Sequence, residues 1–308
     1  MKNLGIEITN LHKKYDEVHA VRGINLSIKK GEFYGLLGPN GAGKSTTINA
    51  ITSLVKPTHG NVKILGKDIV TDFRFARSQV GIAAQELSND FFFSVEELLY
   101  YQAGFYGVTR KKAKERIDYI LNKLGLDEHK NKKMRMLSGG MKRRLQIAKA
   151  LVHDPQILIL DEPTAGVDVE LRHDLWKYLK ELHSEGKTIL LTTHYIDEAE
   201  LLCEKVGIID SGKLIVENTV ENLKNMVSKS GIVIHTKQKS SNINDILKDF
   251  NPTINNNRIE ILTQTPNADL PKIILKMSEN NIAIEDVHLP KTSLEDVFLD
   301  LTGRKINE

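Results

Sequence analysis

The stretch Gly38-Pro39-Asn40-Gly41-Ala42-Gly43-Lys44-Ser45-Thr46 holds the residues whose types and spacing most plainly do chemistry. It fits the phosphate-binding pattern G-x-x-x-x-G-K-[ST]. The glycines let the backbone curl, so that successive N–H groups point inward at phosphate oxygens. Lys44 can place its charge on the β- and γ-phosphates, and Ser45 can offer a hydroxyl to Mg²⁺. A second constellation is Asp161-Glu162, which follows the apolar run Ile157–Leu160. A buried strand there delivers both acids to its carboxyl end, where ligands sit in open α/β sheets. Asp161 suits the Mg²⁺ shell, through water. Glu162 suits the polarisation of an attacking water. A third constellation is Leu137-Ser138-Gly139-Gly140-Met141. Ser138 can cap the helix that follows, and the two glycines allow close approach of a phosphate.

A phosphate loop needs a strand before it and a helix after it, because the helix N-terminus adds its dipole to anion binding. Phe33–Leu37 reads as that buried strand. Ile48, Ile51, Leu54 and Val55 read as the apolar side of that helix. Leu4–Leu11 alternates apolar and polar residues, as a half-buried strand does. Val18–Ile28 reads as two further short strands with Arg22-Gly23 between them. Val80–Ala84 reads as a buried strand ending at Gln85. Helical spacing then runs from Ser94 to Leu126 and again over Gly139–Val152, Leu171–Leu182 and Ile196–Leu202, with strands at Ile157–Leu160 and Lys187–Thr192. Such alternation predicts a largely parallel sheet with covering helices. The composition shifts near Thr219 towards serine, lysine and asparagine. Beyond it the order βαββαβ plus a final helix predicts a small split βαβ sandwich.

A length of 308 residues predicts about two domains. At 40% hydrophobic and 27% charged residues, the chain has an ordinary globular composition with enough apolar residues for a sizeable core. The formal charge of +3 is too small to imply nucleic acid, and none is expected as a partner. The single cysteine, Cys203, excludes an internal disulfide framework and suits a reducing cytosol. No apolar run approaches the roughly 20 residues of a spanning helix, so a membrane role must work through a partner chain. The basic pairs Arg143-Arg144 and Lys132-Lys133 read as a solvated face.

In order along the chain, the Gly38–Thr46 loop, Gln85, Leu137–Met141, Asp161-Glu162 and His194 resemble the signature of ATP-binding-cassette ATPases. The resemblance runs from Leu4 to about Glu217. It implies an α/β fold: a P-loop NTPase (RecA-like) core with an antiparallel β subdomain and a helical signature subdomain at about 86–140. The cassette domain is expected over 1–218. The α+β segment 219–308 is expected to be an accessory domain, either regulatory or dimer-supporting, or a stabilising appendage. The resemblance further implies ATP and Mg²⁺ as cofactors, with Tyr15 stacked on adenine and Gln85 reaching Mg²⁺ and the attacking water. Ser138, Gly139 and Gly140 then bind the γ-phosphate of ATP held by a second copy. Asp168 communicates across the dimer, and His194 contacts the γ-phosphate. Lys44 and Glu162 are both present, so hydrolysis is expected as well as binding.

Tyr101–Gly107, Met136–Arg144, Thr193–Glu200 and Thr292–Arg304 are similar to the ATPase subunits of bacterial ABC-2-type exporters, including daunorubicin-resistance-like ones. In that family the segment Gln85–Glu96, with Phe91-Phe92-Phe93, lies where a helix of a separate membrane permease is received. The implied location is cytoplasmic, peripheral on the inner face of the cytoplasmic membrane. An alternative is a soluble cassette acting on ribosomes or RNA. Such proteins usually fuse two cassettes, whereas this chain has one phosphate loop. A DNA-repair ATPase would separate loop and signature by a long coiled coil, and no sustained heptads lie between Gly38 and Ser138.

Overall fold

The computed structural model describes residues 3–84, 92–227, 231–237, 242–263, 265–290 and 292–303. They form two compact units that divide between Val220 and Glu221.

The first unit opens with β1 (Leu4–Tyr15), β2 (Val18–Lys29) and β3 (Phe33–Leu37), then α1 (Lys44–Ile51). Next come β4 (His59–Ile64), β5 (Lys67–Asp68), α2 (Phe73–Ser78) and β6 (Val80–Ala83). The helices α3 (Val95–Phe105), α4 (Arg110–Lys123) and α5 (Gly139–Leu151) follow. The unit closes with β7 (Ile157–Asp161), α6 (Val169–Ser184), β8 (Thr188–Thr193), α7 (Ile196–Leu202), β9 (Lys205–Asp210) and β10 (Lys213–Thr219).

Two sheets result. One is antiparallel in the order β2-β1-β4-β5. The other has the order β10-β9-β3-β8-β7-β6 and is parallel except for the β10–β9 pair. Strands β3 and β7 are buried at every position, which explains why they read as continuous apolar runs. Ile48 and Ile51 of α1 join one core with Ile6, Ile8 and Leu26 of the antiparallel sheet and Leu36, Ile159 and Leu190 of the parallel sheet. The helix that carries the phosphate loop is thus clamped by both sheets.

Two local expectations change and a third gains detail. Val18–Lys29 is one strand, not two. Gly23, at φ 85°, absorbs the irregularity in its pairing with β1, and the ladder resumes beyond it. Helix α1 stops at Ile51 because Ser53 turns left-handed at φ 60°, so Leu54 is exposed instead of lying on the helix face. The helical stretch Ser94–Leu126 is two helices separated by a turn at Gly107, φ 70°. The first of them starts with a reciprocal cap: Ser94 N–H donates to Glu97 Oε2, and Glu97 N–H donates to Ser94 Oγ.

The second unit begins in α8 (Val220–Met226) and continues with β11 (Gly231–Thr236), α9 (Ile243–Ile246), β12 (Thr253–Asn255), β13 (Arg258–Leu262), α10 (Pro266–Glu279), β14 (Ile284–His288) and α11 (Leu294–Thr302). Its antiparallel sheet has the order β12-β13-β11-β14, the split βαβ arrangement expected from the element order. Asn256 makes the β12–β13 turn at φ 56°, a conformation asparagine tolerates. This unit has its own core, built on Ile232, Ile234, Ile259, Ile261, Ile273 and Met277.

Candidate functional site at the ends of the parallel strands

Strand β3 leads into the glycine-rich loop, and the loop leads into α1. Gly41 and Gly43 take φ 77° and 104°, the left-handed region open to glycine. At Gly38 a Cβ would stand 2.3 Å from Ile209 O, and at Gly43 2.6 Å from Ala20 O. The loop is therefore pressed against the ends of β9 and β2, and neither position has room for a side chain. A cavity of about 330 Å³ opens over it, lined by Asn40, Gly41, Lys44, Ser45, Thr46 and Glu162 among others.

Lys44 is buried and donates to the carbonyls of Gly38 (2.6 Å) and Pro39 (3.0 Å). Its Nζ lies 3.9 Å from Glu162 Oε1. Burial pushes the Lys44 amine below its ordinary pKa, and the Glu162 and then the Asp161 carboxylate oppose that shift.

Asp161 ends β7, is buried, and accepts from Thr192 Oγ1 on the adjacent strand β8. Glu162 follows at φ 50°, a left-handed conformation that costs a residue with a Cβ on the order of 1–3 kcal/mol. Its N–H donates to Thr192 O at 3.0 Å. His194 follows β8 and brings Nδ1 to 3.1 Å from Glu162 Oε1 without making a hydrogen bond there. Its ring leans on Tyr195, with centroids 4.1 Å apart, and the Arg172 guanidinium covers Tyr195 at 4.9 Å. Lys44, Ser45, Asp161, Glu162 and His194 are thus gathered where β3, β7 and β8 end.

The remaining expected site residues lie elsewhere. Tyr15 is the last residue of β1 and is exposed, with Lys13 Nζ 4.7 Å above its ring. Ser138 caps α5, accepting from Met141 N–H, and Gly139 and Gly140 form the helix's first turn. Asp168 is exposed at the start of α6. None of these lines the Lys44–Glu162 cavity. Gln85 and Phe91 lie outside the described residues.

Three polar residues turn inward with no sign of it in the sequence, and one of them, Arg143, holds the site segment. Arg143 is 5% exposed, which overturns its reading as part of a solvated face. It is turned inward from α5 onto the residues around Asp161 and Glu162. Arg144 likewise turns in, donating to Leu124 O at 2.7 Å. Glu198 on α7 is fully buried and accepts from Trp176 Nε1 at 3.1 Å. Burial pushes its carboxyl pKa up, against the lowering effect of Thr193, Trp176 and Thr164.

Comparison with known proteins places this geometry. The family model for ABC transporters matches residues 21–165. The linearmycin resistance ATP-binding protein LnrL of Bacillus subtilis (strain 168) is 33% identical over 98% of this chain and 100% of its own length. A Nod factor export ATP-binding protein I of Burkholderia pseudomallei is 36% identical over 98% of each chain. The daunorubicin/doxorubicin resistance ATP-binding protein DrrA of Streptomyces peucetius is 32% identical over 98% of this chain and 94% of its own. Among solved structures, the dimeric bacterial ABC transporter cassette MJ0796 is 30% identical, with a TM-score of 0.64 over 70% of this chain and 98% of that one. These sequence relatives extend through the C-terminal unit as well as the cassette. The chain belongs to the ABC transporter family, as an ATP-binding and ATP-hydrolysing subunit of the exporter kind.

Proposed function

We propose that this ATPase works as a pair of copies whose closure around ATP drives transport by a separate membrane subunit. The observation that carries the paired reading is the separation of Ser138, Gly139 and Gly140 from the cavity of Lys44 and Glu162. A helix start with an exposed capped serine and two glycines is built to meet a phosphate. In one copy it does not line that copy's own phosphate cavity, so a second copy is needed to complete the site. The relative solved as a dimer is a cassette of the same fold.

In each site the loop N–H groups and Lys44 hold the phosphates, and Tyr15 stacks on adenine. Asp161 and Ser45 fit Mg²⁺: a buried carboxylate and a hydroxyl beside a phosphate cavity match an ion that takes few protein oxygens. When bound, the ion neutralises charge on the phosphate oxygens. Glu162 orients the attacking water and takes its proton as the new O–P bond forms in line and the bond to ADP breaks. His194 holds the γ-phosphate from the neighbouring strand end, and Gln85, outside the described residues, would contact the metal and the attacking water. Asp168 carries the signal between the copies. Most of the rate gain is positioning and charge neutralisation.

For the membrane subunit, the proposed seat is an apolar cleft of about 230 Å³ lined by Leu54, Ala76, Arg77, Ile82 and Tyr106 among others. Phe92 is 75% exposed nearby in sequence, and Phe93 meets Tyr101 with centroids 5.0 Å apart. Among the described residues no helix is long and apolar enough to cross a membrane. As the ATPase partner of a membrane subunit, the cassette would sit on the cytoplasmic face, held by that partner. Residues 219–308 we read as a regulatory or dimer-supporting domain. The ribosome or RNA reading finds no support in the export and resistance relatives.

Pull-down from solubilised membranes tests the partner. A multi-helix membrane protein should co-purify and stimulate ATP hydrolysis. Fractionation with ribosomes, with no membrane partner, would sink the exporter role.

A further inference from the structure

Arg143 projects from α5 five residues after Ser138. Its Nε donates to Pro163 O at 3.1 Å. Its Nη1 donates to Ala84 O at 2.7 Å and to Gln146 Oε1 at 2.8 Å. Its Nη2 donates to the carbonyls of Asp161 and Glu162. One guanidinium thus binds three successive carbonyls of the segment carrying both acids, together with the carbonyl just past the end of β6. Only a planar fork of five N–H donors spans such a set; an ammonium is a single point.

The target segment needs holding. Glu162 is left-handed at φ 50°. Its N–H is held by Thr192 O, and its carbonyl accepts from Arg143 and, at 3.2 Å, from Ala165 N–H. Two of these anchors come from other elements and help to hold this backbone, and with it the Glu162 carboxylate, in shape. One anchor is the neighbouring strand β8. The other is the helix that begins with Ser138, Gly139 and Gly140.

We infer that Arg143 is a positioning residue that transmits the state of the Ser138–Gly140 loop to Glu162 of the same chain. This rests on the paired reading above. In a pair, the Ser138–Gly140 loop of one copy touches the ATP of its partner, while Glu162 acts on the ATP of its own copy. A shift of α5 on contact with the partner's γ-phosphate moves the carbonyls of Asp161, Glu162 and Pro163 with it. The two composite sites are thereby linked through one side chain in each copy, and hydrolysis at one depends on closure at the other.

The test uses the full chain carrying Arg143→Lys or Arg143→Gln. ATP binding, turnover and its Hill coefficient are measured, with thermal melting as the fold control. Both variants should lose turnover on the order of tenfold to a hundredfold. ATP affinity should stay within about twofold, because no nucleotide contact is removed. The Hill coefficient should fall towards one. Dimer formation with ATP, measured on a Glu162→Gln background, should persist. Turnover and cooperativity equal to wild type in the Lys variant overturn the inference. Loss of melting transition and of ATP binding in both variants also overturns it, since Arg143 is then purely structural. A Glu162→Gln chain that remains monomeric with ATP defeats the paired reading, whatever Arg143 does.

Discussion

His194 Nδ1 stands 3.1 Å from Glu162 Oε1 across the ends of two adjacent parallel strands. The pairing of Asp161 with Thr192 sets this distance, because Glu162 and His194 both leave the sheet just beyond that rung. In the proposed mechanism the Glu162 carboxylate takes a proton and the His194 imidazole holds an anion. Glu162→Gln keeps the shape and removes the basicity. Turnover should fall by roughly 10²–10⁴ while ATP binding is retained. Phosphate release and equilibrium nucleotide binding, measured on the same preparation, check this. Wild-type turnover in the variant would remove Glu162 from the proposed role.

Tyr15 offers a ring face that Lys13 already covers from one side at 4.7 Å. A base stacking on the other side would gain about 1–3 kcal/mol. Tyr15→Ala should therefore raise the ATP KM about tenfold or more and leave kcat near wild type, whereas Tyr15→Phe should change neither. Steady-state kinetics decide it. A drop in kcat with KM unchanged would place Tyr15 outside the adenine site.

Gly43 and Gly186 both adopt left-handed backbone, at φ 104° and 89°, but only Gly43 is hemmed in, with Ala20 O 2.6 Å from its absent Cβ. Gly186 has open space there. Both alanine variants should lose about 1–2 kcal/mol of stability from backbone strain. Only Gly43→Ala should also abolish ATP binding, because the loop must pull away from β2 to admit the methyl group. Melting temperature and nucleotide titration separate the two effects. ATP binding retained by Gly43→Ala would show a loop with slack.

The phosphate loop, the acids after β7 and the capped helix start were legible in the sequence because each demands particular residue types at fixed spacing. The βαββαβ order of the second unit was legible too, since Asn255-Asn256-Asn257 announces its hairpin. Arg143 was not. A basic residue on a helix reads the same whether it faces water or a row of carbonyls, and backbone acceptors leave no trace in sequence. Leu54 misled in the opposite direction. Its spacing continues the α1 stripe, but Ser53 turns the chain left-handed and carries Leu54 to the surface. Gly23 misled because a glycine that makes a strand irregularity looks like one that makes a turn. In each case a tertiary contact or a single φ outweighed local periodicity.

His153 makes the stability of the first unit depend on pH. Its ring stacks on Tyr106 with centroids 3.6 Å apart, and Nε2 lies 3.2 Å from Val80 O, so a neutral ring donates there. Burial pushes its pKa from 6.5 down to about 4, partly opposed by Val80 O and Asp154 and assisted by Lys187 and Arg116. Between these two values the unfolded chain binds a proton that the folded chain does not. The contribution is therefore fully present above the unfolded pKa and is lost as pH falls towards the folded one. The ring is partly open to solvent, so the discounted loss is about 2 kcal/mol by the lower end of that window. His153→Phe keeps the stack and removes the titration, at a pH-independent loss of about 1 kcal/mol for the hydrogen bond to Val80. Denaturant unfolding should find wild type ahead at neutral pH and the variant gaining on it as the solution is acidified. Parallel pH profiles for the two proteins would show that His153 is not held neutral in the fold.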